Sequence, residues 1–269
     1  MNAFIQHFAF EFRTGIRNKT LLLLNYLFPL GFYLMMGFIM AEINPIFQDV
    51  LVPAMTTFAI LTATLLGIPD PLVNARERGI YRSYKIAGVP TFSILLISIM
   101  TTMVHLAIMG LIIASTAPLL FDAPSPVNWI NFTVVFISLA FASAGLGVLI
   151  GVISSSSRIT VLWSQAVFLP SMLIGGLMFP FSLLPTAAQK IALMLPATHA
   201  MNAFNGLAMN SGSDFNPWIS VWILLLGGVA ALGLAVYLFK WDNQNTNHRT
   251  RTFLAILALM PYVMGLLIA

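Results

Sequence analysis

The sequence predicts an all-α integral membrane protein, and three observations lead to this fold class. Hydrophobic residues make up 59% of the 269-residue chain and charged residues only 7%, whereas soluble domains carry about 25% charged residues. The mean hydropathy is +0.94. The apolar residues also fall in long runs, each near the roughly 20 residues that a helix needs to cross a bilayer. We therefore expect a helical bundle, with no stretch outside the membrane long enough to bury a core of its own.

The N-terminal residues 1–18 predict a helix that lies in the membrane interface. Phe4, Phe8 and Phe12 recur at helical spacing, whereas Arg13 and Arg17 lie elsewhere on the helical wheel. An aromatic face beside basic residues is typical of interfacial helices. The alternative is a basic anchor that continues directly into the first span.

Six apolar runs predict membrane-spanning helices. They cover residues 21–40, 51–68, 91–117, 129–153, 159–181 and 218–239. A seventh run, 253–269, is short for a span and contains Pro261, so crossing the membrane, re-entering it and lying in the interface all remain open. We expect it to cross.

The distribution of basic residues predicts the orientation of the spans. Eleven of the twelve Lys and Arg residues fall on the side that carries the N-terminus, and only Lys190 falls on the other side. The positive-inside rule makes the basic side cytoplasmic. The net charge of +4 is therefore explained by topology, and we expect no nucleic-acid partner.

Residues 74–90 form a polar segment between the second and third runs, with the sequence NARERGIYRSYKIAGVP. Its charged side chains are Arg76, Glu77, Arg78, Arg82 and Lys85. A short segment with both charge signs suits docking into a groove on a soluble partner. A basic loop in contact with lipid headgroups is the alternative, with its tyrosines as interfacial anchors.

Prolines interrupt the long connection on the opposite side. Pro180, Pro185 and Pro196 break helices there, and breaks at membrane depth are stable only where protein or a water-filled cavity covers the backbone. These residues are candidates for an outer gate. An ordinary outer loop with one amphipathic helix is the alternative.

Polar residues within the apolar runs are candidates for lining a path through the bundle, because a polar group at membrane depth needs a partner or water. The candidates are Thr56, Thr57, Thr101, His105 and Gln165. Thr in a span more often bonds its own helix, and His105 could be a packing residue. Gly147 and Gly151, at GxxxG spacing, predict close helix packing.

Motifs for catalysis are missing from the sequence. It contains no Gly-Lys-Ser or Gly-Lys-Thr, and therefore no phosphate-binding loop of the Walker type. The four histidines lie on different segments without an HExxH motif, and there is no cysteine, so we expect no metal site. We expect no catalytic residues and no cofactor in this chain.

The order of these elements resembles the membrane subunit of type-2 ABC exporters, the permeases of the drug, lipid and polysaccharide export class. One match is the loop with Arg-Glu-Arg-Gly at 76–79 and Gly-Val-Pro at 88–90. The second is GGLMFPFSLLP at 175–185, followed by IALMLPATHA at 191–200, which is similar to the family's fifth helix and outer helical hairpin. Together the matches cover nearly the whole chain.

The resemblance implies a six-helix permease domain at 1–251. Within it would lie the interfacial helix 1–18, a coupling loop 74–90 and an outer re-entrant region 181–217, and the segment 252–269 would be an additional hydrophobic segment, since such permeases usually end after six spans. The implied contacts of the coupling loop with an ATPase involve Arg76, Glu77, Arg78, Gly79, Tyr84 and Lys85.

The resemblance also implies partners and a location. ABC ATPase subunits would bind ATP and Mg, a second copy or a related permease would complete a dimer, and the complex would lie in a bacterial or archaeal cell (inner) membrane.

We therefore expect the permease subunit of an ATP-driven exporter that moves a drug, antibiotic, lipid or glycolipid outward. An ion-coupled secondary transporter is one alternative, but it should show ionisable residues at the midplane, and all eight acidic residues lie near segment ends or in loops. A membrane scaffold that transports nothing is the other.

Overall fold

The computed structural model describes residues 3–43, 47–242 and 246–268, and all regular structure in these residues is helical. Residues 1 and 2 of the predicted interfacial helix and residue 269 of the last apolar run lie outside the described residues. Six helical stretches in the described part are long and apolar enough to cross a membrane. The prediction of an all-α bundle with six spans is confirmed.

The first span follows an N-terminal helix after a single capping residue. Helix α1 covers Ala3–Arg17, and α2, Lys19–Leu22, starts the span directly behind it. The side-chain oxygen of Asn18 accepts hydrogen bonds from the backbone N–H groups of Thr20 and Leu21, at 3.0 and 3.3 Å, which satisfies donors at the helix start. A π-helical turn and α3, Phe28–Ile43, continue the span.

The second span is longer than the predicted 51–68. Helix α4, Phe47–Leu61, leads through a π-helical turn, Thr62–Leu66, into α5, Pro69–Glu77. Pro69 does not end the span because it stands in the first turn of α5, where a helix needs no backbone donor. Nearly all residues in the most apolar part of this span are buried inside the chain. The span therefore forms the centre of the bundle.

The next three helices complete the middle of the chain. They are α6, Ile80–Ile86; α7, Thr91–Phe121; and α8, Trp129–Ile153. Helix α9, Ser157–Ile174, ends seven residues before the predicted boundary at 181. The reason is local, because Gly176 has a φ of 89° and takes the chain out of the helical conformation.

Two short helices follow α9 before the last long one. After a 3₁₀ turn at Phe181–Leu183 come α10, Thr186–Ala192, and α11, Pro196–Ala203, which leads into a π-helical turn at Phe204–Met209. Helix α12 covers Pro217–Leu238. The bundle thus has a basic end, where α5, α6 and the C-terminal end of α12 meet, and an opposite end that carries α10 and α11.

Glycines bring the central helices close together. A Cβ atom at Gly145 of α8 would lie 3.0 Å from the carbonyl oxygen of Gly228 in α12, and one at Gly147 would overlap the carbonyl oxygen of Thr64. At Gly151 a Cβ would lie 3.0 Å from the carbonyl oxygen of Pro69. The predicted close packing at the GxxxG spacing is confirmed, and it joins α8 to the second span.

The C-terminal segment runs back along α12. It consists of a 3₁₀ helix, Thr246–Leu259, and α13, Met260–Ile268. Tyr262 lies against Gly227, whereas Gly265 lies against Ile223, so the numbering rises in one helix as it falls in the other. The two segments are therefore antiparallel. The greater rise of a 3₁₀ helix, about 2.0 Å per residue, lengthens the reach of this short run.

Candidate functional site

Two glycines in the left-handed conformation separate α6 from the helices before and after it. Gly79 has a φ of 74° and Gly88 a φ of 71°, and in both places a Cβ atom would meet nothing within 4 Å. Glycine is therefore required by backbone conformation and not by space. The predicted loop 74–90 is in this way a short helix held between two fixed turns.

One face of this segment is open at the basic end of the bundle. The predicted docking residues Glu77, Arg78 and Lys85 are all exposed. Beside them Ile86 is 89% exposed, although it is a large apolar residue. Ile86 is not among the predicted docking residues. The feature that could have identified it is an isoleucine within a polar segment. The open face thus combines both charge signs with an apolar side chain.

The other face of α6 packs between α1 and the end of α12. The ring of Tyr81 is 5.1 Å from that of Phe239, and Tyr84 meets His7 of α1 edge to face, also at 5.1 Å. Arg82 forms an ion pair with Asp242 at 3.6 Å. Burial raises the pKa of Tyr84, and the nearby carboxylate of Glu11 raises it further. The helix is therefore anchored on both sides.

Arg76 differs from the expectation of an exposed docking residue. Its side chain is only 4% exposed. It donates hydrogen bonds to the backbone carbonyl groups of Gly151, Val152 and Ser154. The carbonyl groups at a helix C-terminus lack partners within their own helix and attract a positive charge. Arg76 therefore caps α8, and we remove it from the docking face.

Helix α1 lies along α7 through part of its aromatic face. Phe12 stacks on His105 of α7 with ring centroids 5.0 Å apart, and Phe8 follows Phe12 at 6.2 Å. Phe4 is half-buried, whereas Arg13 and Arg17 are exposed. Arg13 and Arg17 therefore lie on the open side of the helix together with Phe10, which is 60% exposed, and Phe8 and Phe12 lie towards the bundle.

The proline-rich region at the opposite end contains the two short helices α10 and α11, which together are called the hairpin here. Pro185 precedes α10, and Pro196 occupies the first turn of α11. Thr198 donates a hydrogen bond to the carbonyl oxygen of Ala192 at 2.6 Å, and Nε2 of His199 lies 2.8 Å from the carbonyl oxygen of Leu193. Pro180 and Pro185 are exposed, whereas Pro196 is buried. The prolines thus start or stop helices instead of kinking them.

A cavity of about 110 Å³ lies beside this hairpin. Its polar lining comes from Thr198, Asn202, Asn205 and Asp214, and Pro180 contributes to its apolar lining. Asn202 fixes the chain after α11, because its side-chain oxygen accepts a hydrogen bond from the backbone N–H of Asp214 at 2.9 Å. Burial raises the pKa of the Asp214 carboxyl.

The five candidate path residues are distributed over three helices, α4, α7 and α9. Thr56 and Thr57 of α4 are fully buried, and the Thr57 hydroxyl lies 3.7 Å from the sulfur of Met201 in α11. The side-chain oxygen of Gln165 is buried and has no hydrogen-bond partner among the described residues. The hydroxyl of Thr56 is also buried without a hydrogen-bond partner among the described residues.

Thr101 and His105 instead have packing roles on α7. The Thr101 hydroxyl donates to the carbonyl oxygen of Ile97 in its own helix at 2.9 Å. Nδ1 of His105 lies 2.7 Å from the hydroxyl of Tyr26, and its ring stacks on Phe12. Both side chains are satisfied inside the chain, so we remove them from the candidate path.

Comparison with known proteins gives one family and one relative. The sequence profile of a family described as "ABC-2 family transporter protein" matches residues 14–237. ABC transporter G family member 20 of Dictyostelium discoideum is 29% identical over 114 residues, which covers 39% of this chain and 16% of that protein. The chain thus corresponds to a small part of the length of this relative. No solved structure matches significantly.

Proposed function

Because the chain belongs to the ABC-2 family of transporter proteins, we propose that it is the permease subunit of an ATP-driven exporter. Its substrate would be a hydrophobic or amphipathic molecule, such as a drug, antibiotic, lipid or glycolipid, that leaves the cytoplasm. The energy would come from an ABC ATPase subunit that binds ATP and Mg, since this chain carries no nucleotide-binding motif.

The observation that carries this proposal is the open face of the segment 74–90, which includes α6. Glu77, Arg78, Lys85 and Ile86 are exposed together at the basic end, while Tyr81 and Tyr84 anchor the helix to the bundle. Ile80 of the same segment is also exposed. A surface with both charge signs and two apolar side chains fits a groove on a soluble partner better than a lipid surface, which would favour basic residues alone. We assign this face to contact with the ATPase.

The basic end would face the cytoplasm, with the N-terminus on the same side. This orientation rests on the positive-inside rule, because only Lys190 among the basic residues lies at the opposite end. The hairpin of α10 and α11 would then face outward and close the exit, with Pro180, Pro185 and Pro196 at its turns. The membrane would be the bacterial or archaeal cell (inner) membrane.

The path would lie between two permease chains. Gln165 of α9 is the candidate lining residue that remains, since it is only partly buried, whereas Thr56 and Thr57 are fully buried within one chain and do not reach a surface between two. Either a second copy of this chain or a related permease would supply the other wall. A path of this kind suits cargo that is partly apolar.

Reconstitution tests the proposal. The chain is purified with its ATPase, inserted into vesicles and supplied with a hydrophobic cationic dye or a short-chain fluorescent phospholipid. We expect movement of at least one probe that requires Mg-ATP. Movement driven by an ion gradient without ATP would contradict the proposal and favour a secondary transporter, and absence of ATPase binding would favour a scaffold.

Charge reversal tests the docking face. We expect Arg78→Glu or Lys85→Glu to weaken ATPase binding roughly tenfold each, because a favourable charge contact becomes a repulsive one. Arg158→Glu is the matched control, since Arg158 is an exposed basic residue at the same end outside this face. Equal loss of binding in the control would reject the assignment.

A further inference from the structure

Arg76 joins two parts of the bundle that are far apart in sequence. Nη1 donates to the carbonyl oxygen of Val152 at 2.9 Å and to that of Gly151 at 3.4 Å, and Nη2 donates to the carbonyl oxygen of Ser154. Arg76 belongs to the last turn of α5, and its acceptors form the C-terminal end of α8. One side chain therefore connects the end of the second span to the end of another.

The connection is selective for arginine. Burying a guanidinium group is costly unless several acceptors compensate it. A planar fork can reach three carbonyl groups at once, whereas a lysine ammonium is a point charge. The carbonyl groups of Gly151 and Val152 are among the last in α8, where the helix dipole also favours a cation. These contacts of Arg76 form a joint between α5 and the C-terminal end of α8. Replacement of Arg76 therefore disturbs this joint more than the loss of an exposed charge would.

The position of Arg76 along the chain relates it to α6. Only Glu77 and Arg78 separate it from Gly79, where α6 is set off. Burial lowers the pKa of Lys240, which follows α12, and the positive charge of Arg76 lowers it further. The positive charge of the Arg76 guanidinium therefore acts on the end of α12 as well, at the point where α5, α6, α8 and α12 meet.

We propose that Arg76 is a positioning residue that transmits a displacement of α6 to the C-terminal end of α8. This inference rests on the proposed function, in which the ATPase moves α6. Arg76 itself does not touch the ATPase. Because α8 packs closely against both the second span and α12 through Gly145 and Gly147, a shift at its end moves the centre of the bundle.

The first experiment separates coupling from docking. Arg76→Gln is assembled with the ATPase in vesicles and compared with Arg158→Gln, which removes an exposed charge near the same helix end. We expect Arg76→Gln to keep ATPase binding and ATP hydrolysis but to lower the probe transported per ATP about tenfold. The amount of probe that Arg76→Lys transports per ATP should lie between the values for Arg76→Gln and for the unmodified chain. An unchanged ratio in Arg76→Gln would overturn the inference.

A second measurement uses the unmodified Arg76 and does not depend on the folding of a variant. Since the chain contains no cysteine, spin labels can be placed selectively at the exposed residues Ser83 of α6 and Ser155 after α8. A rigid joint predicts that their distance stays constant when the bound ATPase takes up ATP. A clear change in that distance would overturn the inference, whereas failure of ATP-dependent transport in the unmodified complex would instead reject the proposed function.

Discussion

Tyr262 of α13 occupies space that Gly227 of α12 leaves open. Tyr262 is fully buried, and a Cβ atom at Gly227 would come within 2.5 Å of its hydroxyl oxygen. Further along, a Cβ atom at Gly265 would lie 2.9 Å from both Ile223 and the ring of His199 in α11. The C-terminal segment is thus fitted to α12 by two glycines, one in each helix, and reaches the hairpin at the opposite end.

This fit predicts a specific cross-link. Ile223→Cys together with Gly265→Cys should be joined by a short bifunctional thiol reagent in membranes, because the two side chains face each other. Val229→Cys with Gly265→Cys is the control, since Val229 is 60% exposed on the same helix. Adding Gly227→Leu should prevent the first cross-link by displacing Tyr262. A cross-link that forms equally well in all three proteins would contradict the packing.

The glycines of α8 predict where added volume is not tolerated. Gly147→Val should lower stability by roughly 1–3 kcal/mol, because the new side chain overlaps the backbone of Thr64. Gly233→Val is the control, since a Cβ atom at Gly233 meets nothing within 4 Å. Thermal unfolding in detergent measures the difference. Similar unfolding temperatures for the two variants would show that α8 and the second span do not pack this closely.

The turn at Gly79 predicts graded effects on coupling. Gly79→Ala should cost about 1 kcal/mol, because alanine must adopt a positive φ. Gly79→Pro cannot adopt it at all, since the ring holds φ near −65°. We expect insertion into the membrane in both variants, and loss of ATP-driven transport with continued hydrolysis in Gly79→Pro. Normal transport by the proline variant would reject a fixed turn.

The environment of Asp214 predicts a dependence of stability on pH. Burial raises the pKa of its carboxyl in the native state, so the native state binds a proton more tightly than the unfolded chain. The contribution of this group to the free energy of unfolding is therefore greatest at low pH and is lost as the pH rises through the native pKa. Asp214→Asn should remove this component.

Unfolding temperatures measured across acidic to neutral pH test this expectation. The matched control is Asp122→Asn, which removes another carboxylate and keeps a residue type that tolerates the positive φ found there. If Asp214→Asn and the unmodified chain respond to pH in parallel, the carboxyl does not titrate in the way that its burial implies.

Much of the fold could be predicted because it depends on local properties. Apolar runs located all six spans, and basic residues identified the end that carries α6. The prolines at 180, 185 and 196 predicted breaks between helices, and α10 and α11 begin at the second and third of them, since proline favours the first positions of a helix. The boundary at Glu77 could not be predicted from hydropathy, because Pro69 stands in the first turn of α5 and does not end the span. The boundary at Ile174 depends on Gly176, whose φ is positive.

The candidate site divides in the same way. Glu77, Arg78 and Lys85 were predicted as docking residues and are exposed in the segment 74–90. Arg76, one residue before Glu77, points into the bundle. A prediction that treats 74–90 as one polar segment cannot tell that Arg76 is buried and that Glu77 and Arg78 are exposed. The path prediction for His105 was similarly limited, because its partners Tyr26 and Phe12 come from other helices; Thr101 instead bonds the carbonyl oxygen of Ile97 in its own helix.

The sequence by itself determined that this protein is a membrane bundle with a charged helix at one end and a proline-divided hairpin at the other. Composition, run length and turn residues are sufficient for that conclusion, since they act within a few residues of each other. Only the tertiary structure decided which polar groups are used inside the chain and which remain open to a partner. Arg76 is buried and Arg78 is exposed because α8 happens to end beside one of them, and such a meeting depends on contacts between residues that are about 75 positions apart.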